Sequence, residues 1–535
     1  MCIILIVYFV RPPMLNNQRI KYNPSYHCYS NVSDEWLPIG KRWLAWFLVS
    51  GFVLSFLMYA TVALLPYAGP LRVDPEMSVN WSINNFLGDS DGDGNPINPL
   101  PERVMLLPDC REAFDHRIMM VSNARERVDF VSFVATPGWS PEIFFGALIE
   151  AANREVEVNI VVDAKFFDFG DRYASPLSSH SNINYYEFNP INLFRPWYIN
   201  HALHDKIMIV DNEFLIIGGR NLGDKYPDFG GFVAEYYNDL EVLVHRPRET
   251  PPDLNDGGII AETRDYVESI RDNFLTRERR SNDSTSNRLA RERMVGTYHD
   301  YLNYIEQKGF SPDYSDANEN IFPAYNISLL FNPIEGTRKE PLIAYNLLRI
   351  ARESDDVLIH TPYVVLTRRN LRLLSDAIAG TSEFTIITNS MASVGDLWAY
   401  GSYHIRRRDV ARAGHDTPSD FRLYEFQHPT HSLHLKAYAF DDRLTAIGAY
   451  NMSERSTRII TDSMLVIDSP ELNAAARQNA QRFKAGSLRV DRDGRYYNPS
   501  DRSPDQLIEV VDPPFWKNLR LTIQGILFEP FRFLV

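Results

Sequence analysis

The feature that most constrains this chain is a repetition. Two stretches, far apart, run through the same order of helix-like and strand-like segments and end on the same side chains. The first reads CREAFDHRIMMVSNARER, VDFVSFVAT, PEIFFGALIEAANRE and VEVNIVVDA; the second reads PLIAYNLLRIARES, DDVLIHTPYVV, RNLRLLSDAIAG and SEFTIITNS. Apolar residues three and four apart in the first and third pieces predict helices, and the β-branched runs between them predict strands. This alternation implies an α/β fold whose sheet is covered on both faces. Its recurrence implies an internal duplication.

Each pass ends on a compact motif. ALHDKIMIVDNEFLIIGGRN places His204, Lys206, Asp211, Gly218 and Asn221, and SLHLKAYAFDDRLTAIGAYN places His434, Lys436, Asp441, Gly448 and Asn451. Offsets from the histidine are two, seven, fourteen and seventeen in both. One His-x-Lys string is commonplace; two copies sharing five positions behind the same pattern are not. Alternation in IMIV and AYAF predicts that each His-x-Lys stretch is a strand, with its histidine and lysine on one face. A lysine on a buried strand needs a partner for its ammonium, so the pairs read as a site rather than as packing. The glycines permit close backbone approach, and the asparagines can donate to an oxyanion. In the pairs His201/His204 and His431/His434, residues three apart on a strand face opposite ways, so no metal site is expected.

Composition narrows the classes further. Three cysteines (Cys2, Cys28, Cys110) without a CxxC exclude a disulfide framework and a cysteine-based zinc site. A net charge of −14 makes a poor general polyanion binder and leaves only a local basic cleft. Trp43 to Leu65 is a 23-residue run without charge, and at about 1.5 Å per residue such a helix crosses a roughly 30 Å hydrocarbon core. Trp43 and Trp46 at one end and Tyr67 past the other fit an aromatic belt. Lys41 and Arg42 precede the run, while Asp74, Glu76, Asp89, Asp91 and Asp93 follow it. The positive-inside rule therefore puts the N-terminus in the cytoplasm and the large remainder on the opposite face. No small-residue cleavage site stands out, which disfavours a signal peptide.

The resulting order is a tail (1–42), a single spanning helix (43–65), a Pro/Gly/Asn/Asp-rich linker (71–104), a first lobe (105–250), a charged, Ser/Asn-rich connector or insertion (251–320) with helical stretches such as ETRDYVESIRDNFL, and a second lobe (321–535). Asp89, Asp91, Asp93 and Gly94 imitate a calcium loop. Leu100 stands where the twelfth-position Glu belongs and Pro96 interrupts the loop, so a solvated turn is expected. The terminal FWKNLRLTIQGILFEPFRFLV reads either as an interfacial segment or as a core-packing helix.

The twin H-x-K-x4-D motifs, each followed by G-x-x-N, resemble the phospholipase D superfamily and within it the cardiolipin-synthase-like bacterial members. PINLFRPWYINHALHDK and GGRNLGDKY in the first half, and HTPYVV, ITNSMAS and LYEF in the second, are similar to that branch. The second half departs from it in GAYNMSERS and in ending on TD, with both histidines intact. The resemblance implies two similar α-β-α lobes forming a pseudo-dimer behind one N-terminal transmembrane helix. It also implies phosphodiester exchange without cofactor or metal, on a phosphatidylglycerol-like phospholipid at a membrane, as a phospholipase D or a cardiolipin-synthase-type transphosphatidylase. A phosphohistidine intermediate would form on His204, with His434 as acid and base. Lys206, Lys436, Asn221 and Asn451 would stabilise the phosphoryl group. Asp239 and Asp462 occupy the places of the carboxylates that fix each imidazole. Asp211 and Asp441 complete the catalytic motif, although their place just past the strand suits a residue that pins the turn. Arg220, Arg455 and Ser456 are second-tier candidates for phosphate or head-group contact, against a reading as surface ion pairs. A metal-independent nuclease of the same superfamily is the alternative, opposed by the net acidity and the anchor; no nucleic acid partner is expected.

Overall fold

The β-branched runs of both passes lie at the centre of two nine-stranded sheets in a computed structural model. It describes residues 39–68, 82–167, 171–227, 235–250, 258–395, 397–500 and 503–534. The first 38 residues, with Cys2 and Cys28, and residues 69–81, with Asp74 and Glu76, lie outside the described residues. The first sheet runs Phe322–Pro323, Arg103–Leu107, Glu241–His245, Phe214–Gly218, Ile207–Val210, Arg127–Ser132, Glu157–Asp163, Ile183–Phe188, Thr276–Arg279. The second runs Asn326–Phe331, Ser463–Asp468, Leu444–Gly448, Ala437–Phe440, Asp356–His360, Glu383–Asn389, Asp420–Phe426, Ser487–Val490, Tyr496–Tyr497. Arg103–Leu107 matches Asn326–Phe331, and the correspondence continues strand by strand to Thr276–Arg279 and Ser487–Val490. The fold is thus mixed α/β with two like lobes. In each sheet only three strands are mutually parallel, Arg127–Ser132 to Ile183–Phe188 and Asp356–His360 to Asp420–Phe426.

Each sheet is covered on both faces, as expected, but the inner cover is shared between helices Gly258–Arg271 and Pro470–Ala485 and the opposite lobe. Helices Cys110–Ser122 and Trp139–Asn153 cover the outer face of the first, sharing a core with Phe130, Ile160 and Met208. The inner faces share one cluster across the lobes: Val131, Ile207, Ile217 and Val242 pack in it with Leu358, Ala437, Ile447 and Leu465. Central strands buried on both sides have no polar face. Hence Ile207–Val210, Phe214–Gly218, Ala437–Phe440 and Leu444–Gly448 are buried at every position.

The connector is more structured than its charge predicts. Helix Gly258–Arg271 buries Ile259, Ile260, Val267 and Ile270, and Thr276–Arg279 forms the far edge of the first sheet. Helix Thr285–Gln307 packs on Trp139–Asn153, where a Cβ on Gly146 would collide with the Met294 carbonyl. An apolar stripe on an otherwise charged helix suffices for docking, and composition averages it away. The linker is also shorter than expected. Strand Arg103–Leu107 begins within it, Gly88 N donates to Asp468 Oδ2 (2.8 Å), and Arg443 donates to Ser90 Oγ (2.8 Å). Asp91 Oδ1 accepts from the backbone of Asp93 (2.9 Å) and Asn95 (2.8 Å), a turn closed on itself.

Helix Ile39–Ala68 contains the stretch Phe47–Tyr67, long and apolar enough to cross a membrane, four residues in from the expected start. Phe47, Phe52, Leu54 and Met58 are exposed on it. The C-terminal helix Phe515–Phe528 combines both sequence readings. Its Leu521 is buried and its Gly525 meets Gly401 of helix Leu397–His415, while Phe515, Trp516, Ile526 and Leu527 face outward.

Candidate active site

Each His-x-Lys stretch is extended but is not a ladder strand. The ladders begin one residue after each lysine, at Ile207 and Ala437. The neighbouring strands run out there: Val131 pairs with Ile207 and His360 with Ala437, with no partner beyond. The backbone before each histidine pairs instead with the opposite lobe. His431–Leu433 runs parallel to Tyr236–Asn238, and His434 N donates to the Asn238 carbonyl (2.8 Å). In the other half Leu203 bridges Thr461, and His204 N donates to the Thr461 carbonyl (3.2 Å). Asn238 and Thr461 directly precede Asp239 and Asp462, so each backbone bond brings a carboxylate beside an imidazole.

The carboxylates therefore cross over. His204 Nδ1 lies 2.6 Å from Asp462 Oδ1, and His434 Nδ1 lies 2.6 Å from Asp239 Oδ2. An ionised carboxylate only accepts, so Asp239 holds the proton on Nδ1 of His434 and leaves Nε2 its lone pair, and Asp462 does the same for His204 in its ionised form. Lys206 Nζ donates to the His204 carbonyl, and Lys436 Nζ to the His434 carbonyl. Both ammonium groups thus share their histidine's side of the chain. Lys436 Nζ is also 3.0 Å from Nδ1 and 3.3 Å from Nε2 of His434.

The glycines serve close approach. A Cβ on Gly218 would strike the Leu240 carbonyl and Glu241, and one on Gly448 the Ser463 carbonyl and Met464, on the strands that follow the two carboxylates. Asn221 Nδ2 donates to the Tyr226 hydroxyl (2.8 Å), and both Asn221 Oδ1 and Asn451 Oδ1 are buried without a hydrogen-bond partner among the described residues.

Asp211 and Asp441, carried by the motif as catalytic residues, stand at the far ends of the strands from the histidines. Asp211 Oδ1 accepts from the backbone of Glu126 (2.9 Å) and Arg127 (3.0 Å), and Asp441 Oδ1 from Asp355 (2.8 Å) and Asp356 (3.0 Å). Both sit in the left-handed region (φ 53° and 48°), which a short polar side chain tolerates. They hold the turns, and catalytic contact is withdrawn for both. Arg220 is buried rather than at the surface. It pairs with Glu241 and donates to the Asp239 carbonyl (3.0 Å).

Burial and crowded positive charge set the protonation states. Burial, then Lys206 and Lys436, push His204 well below its ordinary value; burial and Lys436 bring His434 down to about 4. Burial lowers Lys206 to about 7 and Lys436 to about 8. For Asp239, burial is outweighed by His434, Lys436 and Arg220, which hold its carboxyl below the usual range. For Asp462 burial wins over Lys206, Ser456, Lys436 and Lys339, and the carboxyl rises to about 7.

A family profile described as "Cardiolipin synthase, PLD-like domain" matches residues 118–228 and 346–484, the two halves that carry the motifs. The two matched halves are phospholipase D-like domains of the cardiolipin-synthase kind. Cardiolipin synthase C of Escherichia coli is 25% identical over 466 residues, covering 78% of this chain and 93% of that one. An uncharacterized Helicobacter pylori protein is 27% identical over 418 residues, covering 71% and 79%. The fold is also that of a phosphatidylserine synthase from Haemophilus influenzae, with 12% identity, a TM-score of 0.55, and coverage of 84% of this chain and 97% of that one.

Several residues at this superfamily site escaped the sequence reading. The Phe133 ring lies 4.9 Å from His204 and 5.2 Å from Lys206 Nζ. Tyr226 and Tyr237 meet His434 edge-on at 5.7 and 5.6 Å. Lys339, 2% exposed, carries an ammonium without a hydrogen-bond partner among the described residues. None lies in a repeated motif. Gly219 was legible as half of GG: a Cβ there would collide with Asp239 Oδ1 and crowd Lys436.

Proposed function

We propose that this protein is a membrane-anchored phospholipid transphosphatidylase of the phospholipase D type. Its Nε2 atoms would act in turn on one phosphodiester. The observation carrying this reading is the crossed pair of imidazole–carboxylate bonds, His204 to Asp462 and His434 to Asp239. With Nδ1–H held by a carboxylate, Nε2 of His204 attacks phosphorus, and the bond to the head-group oxygen breaks. His434 takes up a second proton at Nε2 when the anionic phosphodiester lies beside it, and gives that proton to the leaving alkoxide. His434 then takes a proton from the incoming hydroxyl, whose oxygen displaces His204 from phosphorus and restores both imidazoles. Lys206, Lys436, Asn221 and Asn451 stabilise the charge on the phosphoryl oxygens.

The similarity to cardiolipin synthase C supports a phosphatidylglycerol-like donor and a hydroxyl acceptor, either water or a second alcohol. The stretch Phe47–Tyr67 supports a single-pass anchor, and Lys41 and Arg42 ahead of it support a cytoplasmic N-terminus with the site across the membrane.

The test is to incubate reconstituted protein with phosphatidylglycerol vesicles, with and without added glycerol as competing acceptor. Lipid turnover that is lost in His434→Ala supports the reading. Full activity of His434→Ala overturns it, as does nucleic acid cleavage without lipid turnover.

A further inference from the structure

The two lobes differ where the chain enters each site. In the second, seven residues (427–433) lead from strand Asp420–Phe426 to His434; in the first, fifteen (189–203) lead from Ile183–Phe188 to His204. The extra length forms a built turn. Asn189 Nδ2 ties its base to the carbonyls of Tyr198 (2.7 Å) and His201 (2.9 Å). Asn192 folds its tip, its Oδ1 accepting from Phe194 N (2.9 Å) and its carbonyl from Arg195 N (3.0 Å). A turn so well braced nevertheless presents apolar side chains to solvent. Ile191 is 67% exposed, Leu193 65% and Phe194 92%, with Arg195 beside them.

Its place in the molecule says what covers it. Tyr59 OH donates to the Leu193 carbonyl (3.1 Å) and Tyr67 OH to the Trp197 carbonyl. Tyr59 and Tyr67 lie on the last turns of the helix whose stretch Phe47–Tyr67 can cross a membrane. Eight residues of helix rise separate them, about 12 Å. The turn therefore runs alongside the helix's last turns, Tyr59 to Tyr67, and reaches, at Leu193, roughly 12 Å inward from the end of the span. In a bilayer that depth lies below the head groups of one leaflet. Behind the turn, Tyr67 packs with Ala202, Ile459 and Phe133, and the Phe133 ring reaches His204.

We propose that the turn Ile191–Phe194 is a wedge inserted into the lipid leaflet beside the anchor, delivering phospholipid from the membrane to the His204 half of the site. The occupant is the acyl layer of a bilayer, with Arg195 at the level of anionic head groups. The delivery role rests on the lipid reading above; insertion of the turn does not.

Two measurements on the full chain separate these. Phe194→Trp is reconstituted in phosphatidylglycerol vesicles with and without bromine on the acyl chains. The added tryptophan, taken as the difference from wild type, should lose at least half its fluorescence to bromine; no added quenching overturns the wedge. Leu193→Ser with Phe194→Ser should lower turnover of vesicle phosphatidylglycerol about tenfold while leaving a short-chain, monomeric phosphatidylglycerol unaffected. An equal loss on both substrates, or none on either, overturns delivery. Bromine quenching in a protein that turns over neither lipid sustains the insertion and defeats the proposed function instead.

Discussion

The two halves of the site are built on the same motif and held by the same crossed bonds, yet their surroundings differ. Behind Asp239 stands a buried guanidinium: Arg220 pairs with Glu241, which also pairs with Arg117. At the position of Arg220 the second lobe has Tyr450, hydrogen-bonded to Thr457 (2.9 Å), and at that of Glu241 it has Met464. Near Asp462 the motif lysines Lys206 and Lys436 are joined by Lys339, a smaller contributor that stands outside the repeat. Aromatic neighbours differ too, with Phe133 against His204 and the tyrosines 226 and 237 against His434. A duplicated fold supplies two equivalent imidazoles, but a displacement needs a nucleophile and an acid. On the proposed mechanism the unrepeated residues would divide that labour.

The sharpest break of this comparison removes one histidine at a time. His204→Ala is expected to lower kcat on the order of 10⁶-fold, as loss of a nucleophile does. His434→Ala, which removes proton transfer, is expected to cost roughly 10²–10⁴-fold. Rapid quench in neutral detergent, which spares the acid-labile P–N bond, with lipid labelled in its phosphatidyl group reads the same division. Labelled phosphoenzyme should accumulate in the His434 variant and be absent from the His204 variant. The opposite pattern would exchange the two roles.

Carboxamide substitution asks the same of the carboxylates. Asp239 is ionised throughout the physiological range, so Asp239→Asn replaces an anion by an amide and should cost up to ~10⁴-fold. Asp462 rises to about 7 through burial, so much of it is already neutral near neutrality and Asp462→Asn should cost clearly less. The sign follows from the role. Asp462 must be ionised to hold the His204 Nδ1 proton, so activity falls as pH drops through about 7. From pH 7 to pH 6 the ionised fraction falls roughly fivefold. A pH profile of kcat should show that acid limb in wild type and lack it in Asp462→Asn.

How much of this was legible in the sequence follows from what was repeated. The doubled offsets located His204, Lys206, His434 and Lys436, and the helix and strand periods located the two lobes. The crossing of the carboxylates was not legible, because Asp239 and Asp462 reach across the lobe interface and no spacing along one chain reports it. Nor was Lys339, which stands in the loop before helix Leu342–Arg352 without a counterpart in the first lobe. The start of each strand was misplaced because alternation reports side-chain direction, and the extended backbone at His204 and His434 alternates without a ladder partner. In the connector the helical stretch ETRDYVESIR was legible, whereas helix Thr285–Gln307 was not, because Met294, Tyr298 and Ile305 form a narrow apolar stripe within a charged helix.

Stability measures the asymmetry on a smaller scale. Arg220→Met leaves Glu241 with Arg117 alone and uncovers a buried carboxylate, a loss of about 3 kcal/mol. Tyr450→Phe, at the equivalent place, removes one hydroxyl–hydroxyl hydrogen bond and should cost about 1 kcal/mol. Urea unfolding midpoints of the two variants give the ratio, and equal losses would show that the unrepeated ion pair does not stabilise its lobe.

The smallest expected effect falls on the turn aspartates, where the halves are most alike. Asp211→Asn and Asp441→Asn keep a short polar side chain in the left-handed region and keep one acceptor oxygen, so the turns can persist. Asp211 loses more, because its carboxylate also meets the Arg248 guanidinium (3.2 Å), whereas Asp441 accepts only backbone donors among its described bonds. That guanidinium is half-exposed and contributes little. The expected losses are therefore about 1 kcal/mol for Asp211→Asn and less for Asp441→Asn, with kcat unchanged in both. A fall in kcat without a fall in melting temperature would return these residues to the chemistry, since a turn can affect a site at the far end of its strand only by loosening that strand.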